Sequence, residues 1–276
     1  MAGILYLVGT PIGNLGDMSS RCAETLNTVD FIAAEDTRVS LKLLNHLDIK
    51  KPMVSYYEHN ERESGERIIS RMLAGESCAL VTDAGMPAIS DPGESLVRLC
   101  GEAGIEVRAV PGPCAAVTAL ALSGLPTQRF TFEGFLSITR KSRLAHLESL
   151  KAETRTMIFY EAPHKLCTTL ADFAEAFGAE RKIALCRELT KLHEEVLRMT
   201  VGEAVQYYSE TQPRGEFVLI VEGAAEKKNK ITQEEALERV LALRDEGLSL
   251  KDAAKKVAGE TGINKNNLYQ LALDFR

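Results

Sequence analysis

The stretch Ile4-Leu5-Tyr6-Leu7-Val8-Gly9-Thr10-Pro11-Ile12-Gly13-Asn14-Leu15-Gly16-Asp17 decides the fold. A short apolar run of strand character passes directly into a Gly-rich turn. At the carboxyl end of a parallel strand, such a turn lets a ligand approach the backbone closely. The glycine spacing is G-x-x-x-G-x-x-G, not the G-x-G-x-x-G of dinucleotide sites. Pro11 also lacks the amide that a pyrophosphate would use. No G-x-x-x-x-G-K-[ST] segment is present for a nucleoside triphosphate. The bland alternative is a tight loop that binds nothing.

Outward from this segment the same unit repeats. Residues 31–34, 53–57, 78–82 and 106–110 read as strands, with helical patterns between them at 61–73 and 92–103. A β-α-β-α order implies a parallel sheet covered on both faces by helices. Two more strands end in stiff Gly/Pro loops. One is Thr82-Asp83-Ala84-Gly85-Met86-Pro87-Ala88-Ile89-Ser90-Asp91-Pro92-Gly93, in which Asp91-Pro92 reads as a helix cap and first helical residue. The other is Pro111-Gly112-Pro113-Cys114-Ala115-Ala116. Three such loops at carboxyl strand ends border the crevice where open α/β sheets take ligands. A fourth strand end carries Glu35-Asp36-Thr37-Arg38. It is either a rim cluster for acid/base work or a self-satisfied Asp–Arg pair at a helix start.

The pattern changes at about residue 125. Strands are expected at 130–136, 156–161, 183–188, 196–201 and 216–222, with helices at 140–151 and 165–177. Some of these strands are too close in sequence for parallel crossovers, so the second sheet is predicted to be mixed. The expected division is a first lobe over 1–125, a second over 126–223, a Lys-rich linker over 224–231 and a helical segment over 232–276. In that last segment, Thr232 and Glu235 form a capping box. Ala253-Ala254, a Gly turn and a polar last helix have helix-turn-helix spacing. The segment is either a nucleic-acid contact or a small helical cap.

Composition sets limits. The 276 residues are 45% hydrophobic and 26% charged, the range of an ordinary globular protein. The net charge of −6 argues against a basic coat for general nucleic-acid binding. No two of the six cysteines are placed as a C-x-x-C pair, so no zinc site or other metal is expected. Free cysteines in apolar runs fit a reducing compartment, and no signal or membrane-spanning segment is read, so a cytoplasmic location is expected.

The segments TPIGNLGD, AAEDTR, DAGMPAISDPG, PGPCAA, IFYE, CRELTK and RGEFVLIVEG stand in this order over residues 9–223. Together they resemble the tetrapyrrole-methylase-like (class III) methyltransferases, and within them the bacterial branch that methylates small-subunit ribosomal RNA. The resemblance implies a two-lobed α/β fold, with S-adenosylmethionine held between the lobes of a homodimer. The expected reaction is 2′-O-methylation of a cytidine in the decoding region of 16S rRNA. Matched by motif, the donor-binding positions are Pro11, Asp83, Met86, Cys114, Ala115, Tyr160, Leu189 and Gly215. Glu35, Asp36 and Glu188 are the expected candidates for a base, with Arg38 and Arg187 orienting phosphate or ribose. Lys251, Lys255, Lys256 and Lys265 would hold the RNA backbone. The chain departs from the pattern at Ser137-Ile138, Lys165 and Arg214. Two other readings remain: a tetrapyrrole-like small-molecule substrate on the same fold, or a ligand sensor with a DNA-binding helix-turn-helix.

Overall fold

The computed structural model describes residues 1–225 and 232–275. These form two compact units, Met1–Ala224 and Ala225–Arg276. The first unit opens with β1 (Ile4–Val8), α1 (Ser20–Thr28), β2 (Phe31–Ala34), α2 (Thr37–His46), β3 (Met53–Ser55) and α3 (Glu61–Leu73). It continues with β4 (Cys78–Val81), α4 (Glu94–Glu102), β5 (Glu106–Val110) and α5 (Ala115–Ser123). The five strands make one sheet of order β3-β2-β4-β1-β5, and every pairing is parallel. Alternation along the strands divides its core. Phe31, Ala33, Cys78 and Leu80 meet Ile68 and Met72 of α3 and Leu96 and Cys100 of α4. Their neighbours Ile32, Ala34, Ala79 and Val81 meet Cys22 and Leu26 of α1 and Leu44 of α2. The central strands β2 and β4 are buried on both faces, which is why they read as unbroken apolar runs.

The second sheet is built from β6 (Phe130–Phe135), α6 (Arg140–Ser149), β7 (Thr156–Glu161), α7 (Pro163–Phe177), β8 (Lys182–Arg187), β9 (Glu195–Thr200), α8 (Val201–Glu210) and β10 (Phe217–Val221). Its order is β6-β7-β10-β8-β9. It is mixed, with β6–β7 parallel and the other pairs antiparallel. One face packs on α7 and α8 through Phe159, Phe173, Leu185, Leu219 and Tyr208. The other face, Ile158, Ala184, Cys186, Val218 and Ile220, is covered by Ala116, Ala119 and Leu120 of α5. By chain position α5 precedes residue 125, yet by packing it belongs to the second sheet.

The unit that follows contains α9 (Gln233–Asp245), α10 (Leu250–Thr261) and α11 (Lys265–Asp274) around Val240, Ala253, Ala254, Val257 and Leu268. Thr232 and Glu235 form the reciprocal cap at its start, and Gly262 ends α10 in the left-handed conformation. Lys251, Lys255 and Lys256 are exposed, and Lys265 is half-buried. From residue 226 on, the expected linker lies outside the described residues. Among the described residues no helix is long and apolar enough to cross a membrane.

Candidate functional site

A cleft of about 470 Å³ lies among the carboxyl ends of the first sheet, the start of α5 and the exposed end of the second sheet. Its walls are tied together by backbone contacts that only small residues permit. Thr10 and Gly85 exchange both main-chain hydrogen bonds, at 2.9 and 3.1 Å. The Thr10 hydroxyl donates to the Thr82 carbonyl at 3.1 Å. A Cβ on Gly9 would lie 2.6 Å from the main chain of Gly112, so these two loops touch backbone to backbone. The Gly112 amide in turn donates to the Met86 sulfur at 3.3 Å. The three Gly/Pro loops therefore form one zipped surface.

The acidic strand ends are interlocked too. The Asp36 amide donates to Asp83 at 3.2 Å, and the Asp83 amide donates to Glu35 at 3.3 Å. Glu35, Asp83 and Asp91 all face the cleft. Burial raises Glu35 and Asp83 above the ordinary carboxylate range, and each is pushed further up by a neighbouring carboxylate. Asp91 is pushed up to about 6, by burial first and then by the charges of Glu35 and Asp83. Asp36 behaves oppositely. Arg38 grips it with two hydrogen bonds, at 2.7 and 3.0 Å, and holds its carboxyl down at about 2.

From the second sheet come Phe135, Tyr160, Glu161, Leu189, Lys191, Glu216 and Val218. The Tyr160 hydroxyl accepts the Ala116 amide at 3.2 Å, and burial pushes it up to about 12. Phe132 and Phe135 both stand edge-on to Tyr160. Alternation would send residues 132 and 135 to opposite faces. A bulge between Phe132 and Gly134, with Gly134 at φ 62°, restores them to one side. Glu161 is 4% exposed and is satisfied by Thr169 at 2.5 Å and the Ala162 amide at 2.9 Å. Lys191 bridges Glu188 at 2.8 Å and Glu216 at 2.7 Å, and its stem lies over Gly13, where a Cβ would be 2.4 Å away.

Of the positions expected to bind a donor, Asp83, Met86, Cys114, Ala115, Tyr160 and Leu189 line the cleft. Pro11 and Gly215 do not, although their neighbours Ile12 and Glu216 do. Of the expected catalytic group, only Glu35 lines it. Asp36 and Arg38 form their own pair at the start of α2. Arg187 is paired with Glu195 at 3.1 Å. Partial burial pushes Glu188 up, but Lys191 and the Glu216 amide outweigh this and hold it below the usual range. Asp91 is not the helix cap its sequence suggests. The cap position belongs to Gly93, at φ 144°, and α4 starts only at Glu94. The glycine after Asp-Pro was the signal for this shift, because such a φ interrupts a helix start. Phe135 had a comparable signal in the glycine within its strand.

A model of the tetrapyrrole (corrin/porphyrin) methylases matches residues 4–205. The chain belongs to the tetrapyrrole methylase family. Over residues 232–276 this methylase also matches a model described as the RsmI C-terminal HTH domain. It is 48% identical over 274 residues to a "Ribosomal RNA small subunit methyltransferase I" of Synechocystis sp., covering 99% of this chain and 98% of that one. A protein of the same name from Escherichia coli O157:H7 is 46% identical, covering 99% of this chain and 95% of its own length. The methylase is thus a methyltransferase of that group. Solved structures of a cobalt precorrin-4 methyltransferase (17% identity, TM-score 0.58, 79% of this chain and 94% of that one) and of diphthine synthase (14%, 0.62, 80% and 90%) share the fold.

Proposed function

We propose that this methyltransferase transfers a methyl group from S-adenosylmethionine to the ribose 2′-oxygen of a cytidine in the decoding region of 16S rRNA. The observation that carries this reading is the extent of the likeness to proteins named for small-subunit ribosomal RNA. It runs at 44–48% identity across 97–99% of the chain and takes in the C-terminal unit. The likeness to the corrin-pathway structure is 17% and supports the fold alone. The resemblance of the motifs also supports a homodimer acting on the small ribosomal subunit in the cytoplasm.

The residues present suit the donor. Ile12, Met86, Leu189 and Val218 offer apolar walls for a flat heterocycle, and the Gly9–Gly112 backbone contact holds the loops that carry Ile12 and Cys114 together. Carboxylates at Glu35, Asp83 and Asp91 match a molecule that carries an ammonium and a sulfonium. When bound, the donor supplies an electrophilic methyl group, so the protein's part is binding and alignment. Pro11 and Gly215 are the chain neighbours of the lining residues Ile12 and Glu216. The four tail lysines, and Arg38 and Arg187 on exchange of their partners Asp36 and Glu195, are the cations proposed to meet RNA phosphates.

The deciding experiment is mass mapping of ribose methylation in small ribosomal subunits incubated with the full chain and labelled donor. A single 2′-O-methylcytidine in the decoding region is expected, and labelled corrin or porphyrin precursors with unlabelled RNA would refute the reading. Removing 225–276 is expected to leave donor affinity intact and to lower turnover on ribosomal particles. Undiminished turnover would remove the RNA role of that unit.

A further inference from the structure

We propose that Phe135 is the platform on which the base of the target nucleotide stacks while its ribose enters the cleft, an assignment that rests on the function proposed above. Phe135 lines the cleft yet is 58% exposed. A wall serving the donor alone would lie deeper, since small-molecule sites enclose most of their ligand. The backbone sets the ring in this place. The bulge between Phe132 and Gly134 carries Phe135 to the Tyr160 side of β6, with Gly134 in the left-handed conformation. Bulges of this kind re-aim side chains beside active sites. Ile89, 49% exposed, lines the same cleft from the β4–α4 loop. That loop approaches β6 closely, since a Cβ on Gly134 would lie 3.4 Å from Ser90 Oγ. An aromatic ring and a branched aliphatic chain thus stand half in water on the two sides of one seam. Exposed apolar surface grouped at a cleft marks a place that a ligand covers.

The ring is also set in advance of binding. Tyr160 is fixed by the Ala116 amide at 3.2 Å, and Phe132 and Phe135 stand edge-on to it with centroids 5.1 and 5.4 Å away. Edge-on aromatic contacts favour a definite arrangement, so little freedom is lost when a base stacks. Charge decides which part of a nucleotide can come here. Glu35, Asp83 and Asp91 line the cleft. Among the described lining residues the one cation is Lys191, and Glu188 and Glu216 already hold it. A phosphate is therefore repelled from the cleft, whereas a ribose and its uncharged base are not. The nucleotide must enter with its backbone outside and its base turned out of the strand. An unstacked base takes up an aromatic face that is offered to it.

The base is joined to its ribose by a single bond, so fixing the plane of the base restricts where the 2′-oxygen can lie. Stacking on Phe135 therefore serves both capture and alignment. Every base has a flat face, so Phe135 supplies placement and not the choice of cytosine. It takes no part in moving the proton or the methyl group.

The test compares full-length wild type with Phe135→Ala, Phe135→Leu and Phe135→Trp on small ribosomal subunits, with donor affinity measured separately by calorimetry. Phe135→Ala should lower kcat/KM for the subunits by about 5- to 150-fold, while donor affinity stays within about threefold of wild type. Phe135→Leu keeps the apolar bulk but loses the flat face, and should be impaired nearly as much. Phe135→Trp keeps the face and should remain within about threefold of wild type. Should Phe135→Ala fold poorly, the contrast between Phe135→Leu and Phe135→Trp decides alone. A fall of less than about fivefold in Phe135→Ala overturns the assignment. So does a wild-type rate in Phe135→Leu, or a loss of donor affinity that matches the loss of kcat/KM. If wild type methylates no ribosomal RNA, the proposed function itself has failed, a result distinct from any of these.

Discussion

Two sets of strand ends meet in this molecule, and both present carboxylates. At the ends of β8 and β10, each acidic group has a cation. Glu188 and Glu216 share Lys191, and Arg187 takes Glu195. At the ends of β2 and β4, Glu35, Asp83 and Asp91 face one another in the cleft, and Asp36 alone has taken the nearby arginine. Charge at a strand end is one signal in sequence but two things in space. Where it is paired, it braces a loop. Where it is left unpaired against like charge, its proton affinity is raised and it becomes available for chemistry.

The largest test of the bracing side lies deeper in the second lobe. Arg143 and Asp172 pair at 2.5 Å with side chains only 11% and 8% exposed. Arg143→Ala leaves a buried carboxylate alone and should cost about 3–5 kcal/mol in chemical denaturation, with donor affinity unchanged in the fraction that stays folded. A cost below about 1 kcal/mol would show that pairing in this lobe is not structural. On the cleft side, Gly9→Ala places a Cβ against the Gly112 main chain at 2.6 Å. Such overpacking should cost about 1–3 kcal/mol and lower donor affinity more than about tenfold by calorimetry, because the loops must part.

A smaller effect of opposite sign is expected at Asp91. Its folded-state proton affinity is raised, so the native protein binds a proton that the unfolded chain has already released between pH 4 and about 6. Its contribution to stability therefore falls as pH rises through that window. Asp91→Asn should stabilise the protein at pH 7.5 by about 1 kcal/mol after allowance for solvent screening. The gain should vanish towards pH 4, as followed by thermal melts across pH. Least of all, Arg38→Gln removes an exposed pair and should leave the melting temperature unchanged. A clear drop would mean that the pair braces α2 after all.

Most of the fold was legible because it depends on patterns that local sequence carries. The unbroken apolar runs 31–34 and 78–81 announced strands buried on both faces, and the crowding of 196–201 and 216–222 announced a mixed sheet. The three Gly/Pro loops were readable as a crevice because each follows a strand of the same parallel sheet at its carboxyl end. The cleft's acidic member Asp91 was not, because Asp-Pro is also a good helix start, and only the backbone angle at Gly93 chooses between the two. Nor could sequence say which strand-end acids had partners. Lys191 reaches Glu216 across 25 positions of chain, and Phe135 joins Tyr160 through a bulge that alternation alone does not reveal.

Helix α5 has one more implication. The segment between Val110 and Ala115 is where the polypeptide passes from covering one sheet to covering the other. Cleaving the gene at residue 125 would strand that helix on the wrong fragment and leave Ile158, Ala184 and Val218 bare to water. Severing it inside 111–114 would instead give each fragment a fully clothed sheet. Co-expressed halves divided there should reassemble, making this short Pro-Gly-Pro-Cys passage the natural place to build a split reporter from the protein.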